Sequence, residues 1–211
     1  MKSRCHILPA VIVLLSLAAC REKQEQNIYQ FFDAGGGYLI HLPTHCPDSC
    51  ALKIKNEVPE KWQFIACQSL YYLLPENAPE AFDHLDSFEK TFPSDSMRAF
   101  TQQIRGELFA DQARFDTARI CLNESLRIYQ KLKKTKNAGD VKRHLARICL
   151  NQGDFPETTH LLLDALELYG KIDSNELDRL FNLRLDLSNA YFAEKEYREA
   201  LKWSQLAYDF A

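Results

Sequence analysis

Three segments of the chain share one spacing of small and aromatic residues, and that spacing restricts the fold more than any other feature. Gly106-Glu107-Leu108-Phe109 is followed by Arg114-Phe115-Asp116-Thr117-Ala118. Ala146-Arg147-Ile148-Cys149 is followed by Asp154-Phe155-Pro156-Glu157-Thr158. Ser188-Asn189-Ala190-Tyr191 is followed by Glu196-Tyr197-Arg198-Glu199-Ala200. In each, a small residue leads to Phe, Cys or Tyr three positions later, to Phe or Tyr nine later and to a small residue twelve later. Ser125, Ala165 and Ala207 continue the pattern at nineteen. Helices whose backbones lie close need small side chains at the approach and large ones beside it to fill the space. The pattern therefore predicts helix-turn-helix units in series.

Apolar residues recurring every three or four positions supply the helices. The first predicted helix runs from Pro59, placed as a first-turn proline, to about Leu74, and buries Trp62, Ile65, Leu70 and Leu73. The second, from Glu80 to about Thr91, buries Ala81, Leu85 and Phe88. Ser94 or Ser96 is placed to cap the third, which carries Met97, Phe100, Ile104 and Leu108. The fourth carries Phe115, Ala118, Leu122, Leu126 and Tyr129. Lys133 to Asp140 reads as a polar loop, with Gly139 as breaker and Asp140 as cap of the fifth helix, which buries Val141, Leu145 and Ile148. Gly153 suits a helix end because it accepts positive φ. The sixth helix buries Leu161, Leu162, Ala165 and Leu168; the seventh, about Glu176 to Ala193, buries Leu180, Leu183, Leu187 and Tyr191. The eighth starts near Tyr197 and holds Ala200, Leu201, Ser204 and Ala207. No segment reads as the alternating pattern of a solvated sheet, so the expected class is all-α.

These in-phase copies resemble the tetratricopeptide repeat. The resemblance covers about 95–135, 137–172 and 174–211, with a weaker copy at 59–92 that has Ser69, Tyr72, Ala81 and Leu85 in matching places. It implies an alpha-alpha superhelix of about four antiparallel helix pairs. The good copies start 40 and 42 residues apart, longer than the roughly 34 of the standard repeat. They also lack the tryptophan of that family's first helix. Trp203, Leu206 and Phe210 would form an apolar edge that no polar capping helix covers, a surface for association.

The amino terminus has a different character. Lys2 and Arg4 precede a 13-residue apolar core, Ile7 to Ala19. That core is too short to span a bilayer, which needs about 20 residues, and reads as a secretory signal. Its end, Leu17-Ala18-Ala19-Cys20, resembles a bacterial lipobox. That resemblance implies cleavage before Cys20 and acylation of Cys20, with several chains giving a firm membrane anchor. The expected organisation is a signal peptide at 1–19, an acylated cysteine with a tether and irregular segment at 20–58, and the repeat domain at 59–211. The expected location is a bacterial cell envelope, on the inner or outer membrane, facing the periplasm or the surface. Lys2 and Arg4 leave with the signal, so 24 basic residues face 29 acidic ones, a net charge of −5. That balance offers nothing for nucleic acid.

Chemistry is sparse. The run His41-Leu42-Pro43-Thr44-His45-Cys46-Pro47-Asp48-Ser49-Cys50 holds imidazole and thiol donors. Adjacent His45 and Cys46 are awkward on one ion, and an oxidising compartment suits a Cys46–Cys50 disulfide. Disulfide, free thiols and a metal site all stay open from the residues alone, and no metal is assigned. Cys67, Cys121 and Cys149 read as small buried residues. No nucleophile elbow and no His-Glu-x-x-His is present, so no catalytic residue, cofactor or enzyme activity is expected. In the repeat family the first helix of each pair lines a concave groove. Arg98, Gln102, Arg105, Arg143, Arg147 and Asn189 are the polar residues of those helices, and Arg105, Arg143, Arg147 and Asn189 are the groove-binding candidates. Arg143 and Arg147, four apart, point the same way, toward an acidic segment or free terminus of a protein or peptide partner. The expected function is a lipid-anchored protein- or peptide-binding scaffold. The alternative is the extracytoplasmic sensor part of a truncated or split regulator, since the whole resembles the sensor half of Bacteroidetes-type periplasmic repeat proteins.

Overall fold

The structure, a computed structural model, describes residues 12–14, 26–33, 36–43, 47–60, 63–64, 66–67, 78–170 and 177–209. The chain divides into two compact units, residues 1–97 and 98–211. Cys20, His45, Cys46, Trp62, Ile65, Ser69, Leu70, Tyr72, Leu73 and Phe210 lie outside the described residues.

The first unit opens on strands β1 (Ile12–Leu14), β2 (Gln26–Asp33) and β3 (Gly36–Pro43). They form an antiparallel sheet in the order β1-β2-β3. Ile12 pairs with Gln30, and β2 runs against β3 from Gln26↔Pro43 to Asp33↔Gly36. This corrects the expectation that the segment is irregular and that the chain holds no strand. β2 and β3 are rich in the aromatic and β-branched residues that fit a pleated surface. The innermost pair is Asp33↔Gly36. Helix α1 (Pro47–Glu57) follows and packs on β3 and on α2 (Ala78–Thr91). Residues 60, 63–64 and 66–67 are helical as well. Gln63 Nε2 donates to the carbonyls of Lys55 and Val58, both at 3.0 Å. Ile54, Leu85 and Phe88 are fully buried, as are Cys50 and Cys67. Burial pushes the Cys67 thiol well above its ordinary range, and the neighbouring Cys50 adds to the shift.

The second unit is a run of antiparallel helices: α3 (Asp95–Asp111), in which the division between units falls, α4 (Phe115–Lys131), α5 (Thr135–Gln152), α6 (Phe155–Gly170), α7 (Leu177–Ala193) and α8 (Tyr197–Tyr208). Ser94 Oγ accepts the Met97 N–H at 3.1 Å, the cap expected from sequence. The repeated small residues sit where helices meet. A Cβ on Gly106 would lie 2.6 Å from Leu122 Cγ and 3.2 Å from the Ala118 carbonyl. Thr158 Oγ1 reaches the Ala146 carbonyl at 3.5 Å, and Ser188 Oγ donates to the Ala200 carbonyl at 2.9 Å. Ser125 Oγ donates to the Ala99 carbonyl at 2.7 Å.

Four connections share one geometry. Arg114 N–H bonds to Phe109 C=O (2.8 Å) and Ala113 N–H to Ala110 C=O (2.9 Å), closing α3 with paired bonds from the second and third residues past its end. Lys134 with Tyr129, Asp154 with Cys149 and Glu196 with Tyr191 repeat the longer bond, each at 2.9 Å. The residue before each is left-handed: Ala113 (φ 58°), Lys133 (54°), Gly153 (79°) and Lys195 (66°). The turn at Lys133 overturns the expected loop over 133–140, because α5 already begins at Thr135. Gly139 is not a breaker but a contact point: a Cβ there would lie 2.4 Å from Tyr169 Cε1. Asp140 is no cap either. It accepts bonds from Tyr169 Oη (2.5 Å) and Arg179 Nε (3.1 Å).

Two apolar clusters hold the unit together. One joins Leu122, Ile128 and Tyr129 to Val141, Leu145 and Ile148; the other joins Ala146 to Leu162, Ala165, Leu183 and Leu187. Helix α5 belongs to both, so each pair is buried only by its neighbour. Leu201 (60%), Tyr197 (58%), Phe192 (65%) and Tyr208 (80%) are exposed. Ala200 and Ala207 of the same helix are buried.

A left-handed non-glycine residue costs about 1–2 kcal/mol, partly offset in any glycine replacement by the larger chain entropy lost on folding. Lys133→Gly and Lys195→Gly are therefore expected to stabilise by about 0.5 kcal/mol each, and Gly153→Ala to destabilise by about 1 kcal/mol. Lys136→Gly, at the second position of α5, is expected to cost up to about 1 kcal/mol. Urea midpoints check all four, and a loss of stability at both lysine turns would contradict the account.

Candidate functional site

The first helices of successive pairs, α3, α5 and α7, are joined by side chains. On α5, Val141, Leu145 and Ile148 face the core, which leaves Asp140, Arg143, His144 and Arg147 along another face at helical spacing. Toward α3, His144 Nε2 lies 3.0 Å from Glu107 Oε1, and Arg147 Nη2 lies 3.4 Å from Asp111 Oδ1. Toward α7, Arg143 Nε lies 2.6 Å from Asp186 Oδ2, and Arg179 Nε lies 3.1 Å from Asp140 Oδ1. The four contacts make a polar ladder across three helices.

A cleft of about 70 Å³ opens beside this ladder. Ala146, Leu150 and Leu162 give it an apolar floor, and Arg143, Arg147, Asp186 and Asn189 supply polar groups. Its size suits a carboxylate or one small side chain rather than a whole ligand. The arginines differ. Arg143 makes a short pair with a half-buried acid. Arg147 is 49% exposed and its partner Asp111 is 69% exposed, a class of pair worth about 0–1 kcal/mol. Arg147 is the easier of the two for an incoming anion to recruit.

The Glu107–His144 contact is held away from water. Burial raises the Glu107 carboxyl to about 7, opposed by the hydrogen bond from Gln103 Nε2 (3.0 Å) and by the Arg147 charge. Burial also lowers His144 to about 3, reinforced by Arg147 and Arg143. Both shifts favour the uncharged forms of the two groups over the mildly acid range. Burial raises Asp140 too, against the opposing charge of Arg179 and the Tyr169 hydrogen bond.

Of the four groove candidates, Arg143, Arg147 and Asn189 line the cleft together. Arg105 is not among its lining residues; its Nη1 lies 3.4 Å from Thr101 Oγ1, one turn back, and its charge bears on Cys121. Arg98 Nη2 lies 3.7 Å from Glu124. Sequence reading missed the acids. Glu107 and Asp111 are four apart, as are Arg143 and Arg147 one repeat later, and that matching interval was the available signal. Cys121 and Cys149 are buried, as expected, and Cys50 is fully buried in α1; its proposed disulfide partner Cys46 is undescribed. Among the described residues no group of three or more His, Cys, Asp or Glu is placed to hold a metal ion.

No protein-family model and no curated protein sequence matches the chain. Solved structures do. BtubC (BKLC) from P. vanneervenii superposes with a TM-score of 0.62 at 12% identity, over 78% of this chain and 70% of that one. Two crystal structures of a Podosopora anserina protein, described as a kinesin light chain with nearly identical TPR-like repeats, superpose with TM-scores of 0.56 and 0.54. Both are 16% identical and cover 80% of this chain, and 84% and 85% of theirs. The fold is thus an all-α solenoid of paired antiparallel helices of the tetratricopeptide type, with the small amino-terminal sheet as an addition.

The Glu107–His144 pair has a distinct pH signature. A carboxyl raised from 4.5 to about 7 costs stability as pH rises through that interval. An imidazole lowered from 6.5 to about 3 costs stability as pH falls through that one. Between about 4.5 and 6.5 the two slopes cancel. Glu107→Gln removes the first slope only. The stability of this variant relative to the parent is expected to rise steadily from pH 4.5 to 7, by on the order of 3 kcal/mol. A constant difference across urea titrations at these pH values would refute the burial of Glu107 as an acid.

Proposed function

We propose that the chain is a lipid-anchored scaffold of a bacterial cell envelope that binds a protein or peptide partner through an acidic segment or a free carboxyl terminus. The observation that carries the partner reading is the convergence of Arg143, Arg147 and Asn189 around an apolar-floored cleft on the first helices of the repeats. Two guanidinium groups from one helix face present a planar, bidentate match to carboxylates. Asn189, exposed on α7, supplies both a donor and an acceptor for the backbone of a bound segment. The ladder acids Asp186 and Asp111 hold the arginines in place before the partner arrives. They also set a threshold, because a partner must offer a better carboxylate than they do.

The anchor reading rests on the sequence of residues 1–20, with Cys20 as the acylated residue. Among the described residues, no helix is long and apolar enough to cross a membrane. Removal of residues 1–19 would take β1 with it and leave β2 and β3 as a hairpin between the anchor and α1.

Two experiments test these readings separately. Arg143→Ala/Arg147→Ala is expected to leave helicity intact by circular dichroism and to weaken binding of an acidic peptide library about tenfold or more, roughly 1.4 kcal/mol. Asp111→Asn, which releases Arg147, is expected to strengthen it. Unchanged affinity in the double variant would reject the cleft as the binding site. Expressed with its native leader in a bacterial host, the protein is expected to show the mass of an acylated chain beginning at Cys20, and Cys20→Ser to lose the lipid. An unlipidated mass that retains residues 1–19 would reject the anchor.

A further inference from the structure

Helix α8 leaves one apolar face uncovered. Tyr197, Leu201 and Tyr208 are all exposed, and their spacing of 4 and 7 places them within about 40° of one another around the axis. Phe192, at the end of α7, extends the stripe. Its ring meets that of Tyr197 edge-on, with centroids 5.5 Å apart. The same three positions are Phe115, Arg119 and Leu126 on α4, and Phe155, Thr159 and Leu166 on α6, and all six are half-buried. The following helix pair reaches them: Arg119 Nη2 donates to Gln152 Oε1 at 2.6 Å, and Thr159 Oγ1 lies 3.5 Å from Glu194 Oε1. On α8 the central position of this contact surface is a leucine rather than a polar residue, as suits a buried interface core.

Two charges flank the stripe on one side. Arg198 follows Tyr197 and Asp209 follows Tyr208. Asp209 keeps a helical backbone (φ −63°, ψ −7°). Eleven residues apart, the two lie within about 20° around the axis and roughly 16 Å along it. Neither side chain has a partner among the described residues. Lys202, on the same flank, is paired with Glu199 at 3.1 Å. Both Arg198 and Asp209 stand at the unfavourable end of their own helix, a cation in the first turn and an anion at the carboxyl end.

We propose that α8 pairs antiparallel with the α8 of a second copy of this chain, about a two-fold axis near residues 202 and 203. Tyr197 of one copy then lies opposite Tyr208 of the other, and the two Leu201 side chains flank the axis. At both ends an Arg198 meets an Asp209, and each charge comes beside the favourable end of the neighbouring helix dipole. A two-fold interface demands this self-complementarity. A parallel pairing would set Arg198 against Arg198 and Asp209 against Asp209. One short helix face is a small interface, of the weak and transient class, so the expected dissociation constant is on the order of 10–100 μM. The inference is independent of the arginine cleft.

Sedimentation equilibrium of the full chain tests it, in density-matched detergent that masks the apolar Ile7–Ala19 stretch. A reversible monomer–dimer equilibrium is expected. Leu201→Glu is expected to weaken it tenfold or more. Arg198→Asp and Asp209→Arg each put like charges at both ends, and each is expected to weaken it about tenfold. An equimolar mixture of these two single variants restores opposite charges at both ends and is expected to regain the parent affinity, as is the double variant Arg198→Asp/Asp209→Arg. Arg143→Ala/Arg147→Ala is expected to leave it unchanged. Circular dichroism confirms that each variant is folded. A chain that stays monomeric up to roughly 300 μM would overturn the inference and leave the face to a different protein. A dimer indifferent to Leu201→Glu, single variants that fail to associate when mixed, or growth beyond the dimer would overturn it as well.

Discussion

The second unit depends on close helix approach at a few small residues. Gly106 admits Leu122 to a distance that no Cβ would allow, and Gly139 does the same for the Tyr169 ring. Ser188 and Ser125 go further, since each small side chain also donates to a carbonyl of the neighbouring helix. A large residue at any of these positions would push two helices apart and open a void along the seam, and protein interiors tolerate voids poorly. The same approach sets the positions of the larger side chains. Tyr129, Leu122 and Leu187 are fully buried because the small residues bring the opposite helix within reach.

Close approach also explains where charge can go. With the apolar faces of α5 committed to two clusters, its remaining face meets α3 and α7 through polar groups alone. An ion-pair ladder is a modest source of stability, since pairs of this exposure contribute little individually. Its larger effect is registration: acids and bases of adjacent repeats meet at fixed positions, which resists a slide of one helix along another. The buried Glu107–His144 pair follows a different rule. Keeping two charges in that place would be costly, and burial accordingly shifts both groups toward their uncharged forms.

The repeat architecture was legible because its signal is redundant. Small and aromatic residues at offsets of zero, three, nine, twelve and nineteen recur in three copies, and most of the residues assigned to the core from helical period are buried. The failures have physical causes. Gly139 was read as a breaker because glycine weakens helices in isolation; in the folded chain, the missing side chain is what Tyr169 needs. The turn at Lys133 went unseen because lysine has no preference for positive φ and the tertiary packing imposes it. β2 and β3 were overlooked because their apolar residues run nearly continuously rather than alternating. Arg143, Arg147 and Asn189, which line one cleft, were singled out by their place in the repeat. Their acidic partners were not, because Asp186 is 43 residues from Arg143 and only the stacking of α5 on α7 brings them together.

Helix α5 concentrates these roles. Its Val141, Leu145 and Ile148 complete one cluster and its Ala146 the next, while Arg143 both ties α7 through Asp186 and lines the cleft. A carboxylate that takes Arg143 from Asp186 therefore changes a contact between repeats as well as filling a site. On the proposed reading, linkage then requires that whatever tightens or loosens the α5–α7 contact alters affinity at the cleft by the same factor that binding alters the contact. In a solenoid whose units are held only by their neighbours, recognition at such a cleft and the stacking of the repeats share one equilibrium.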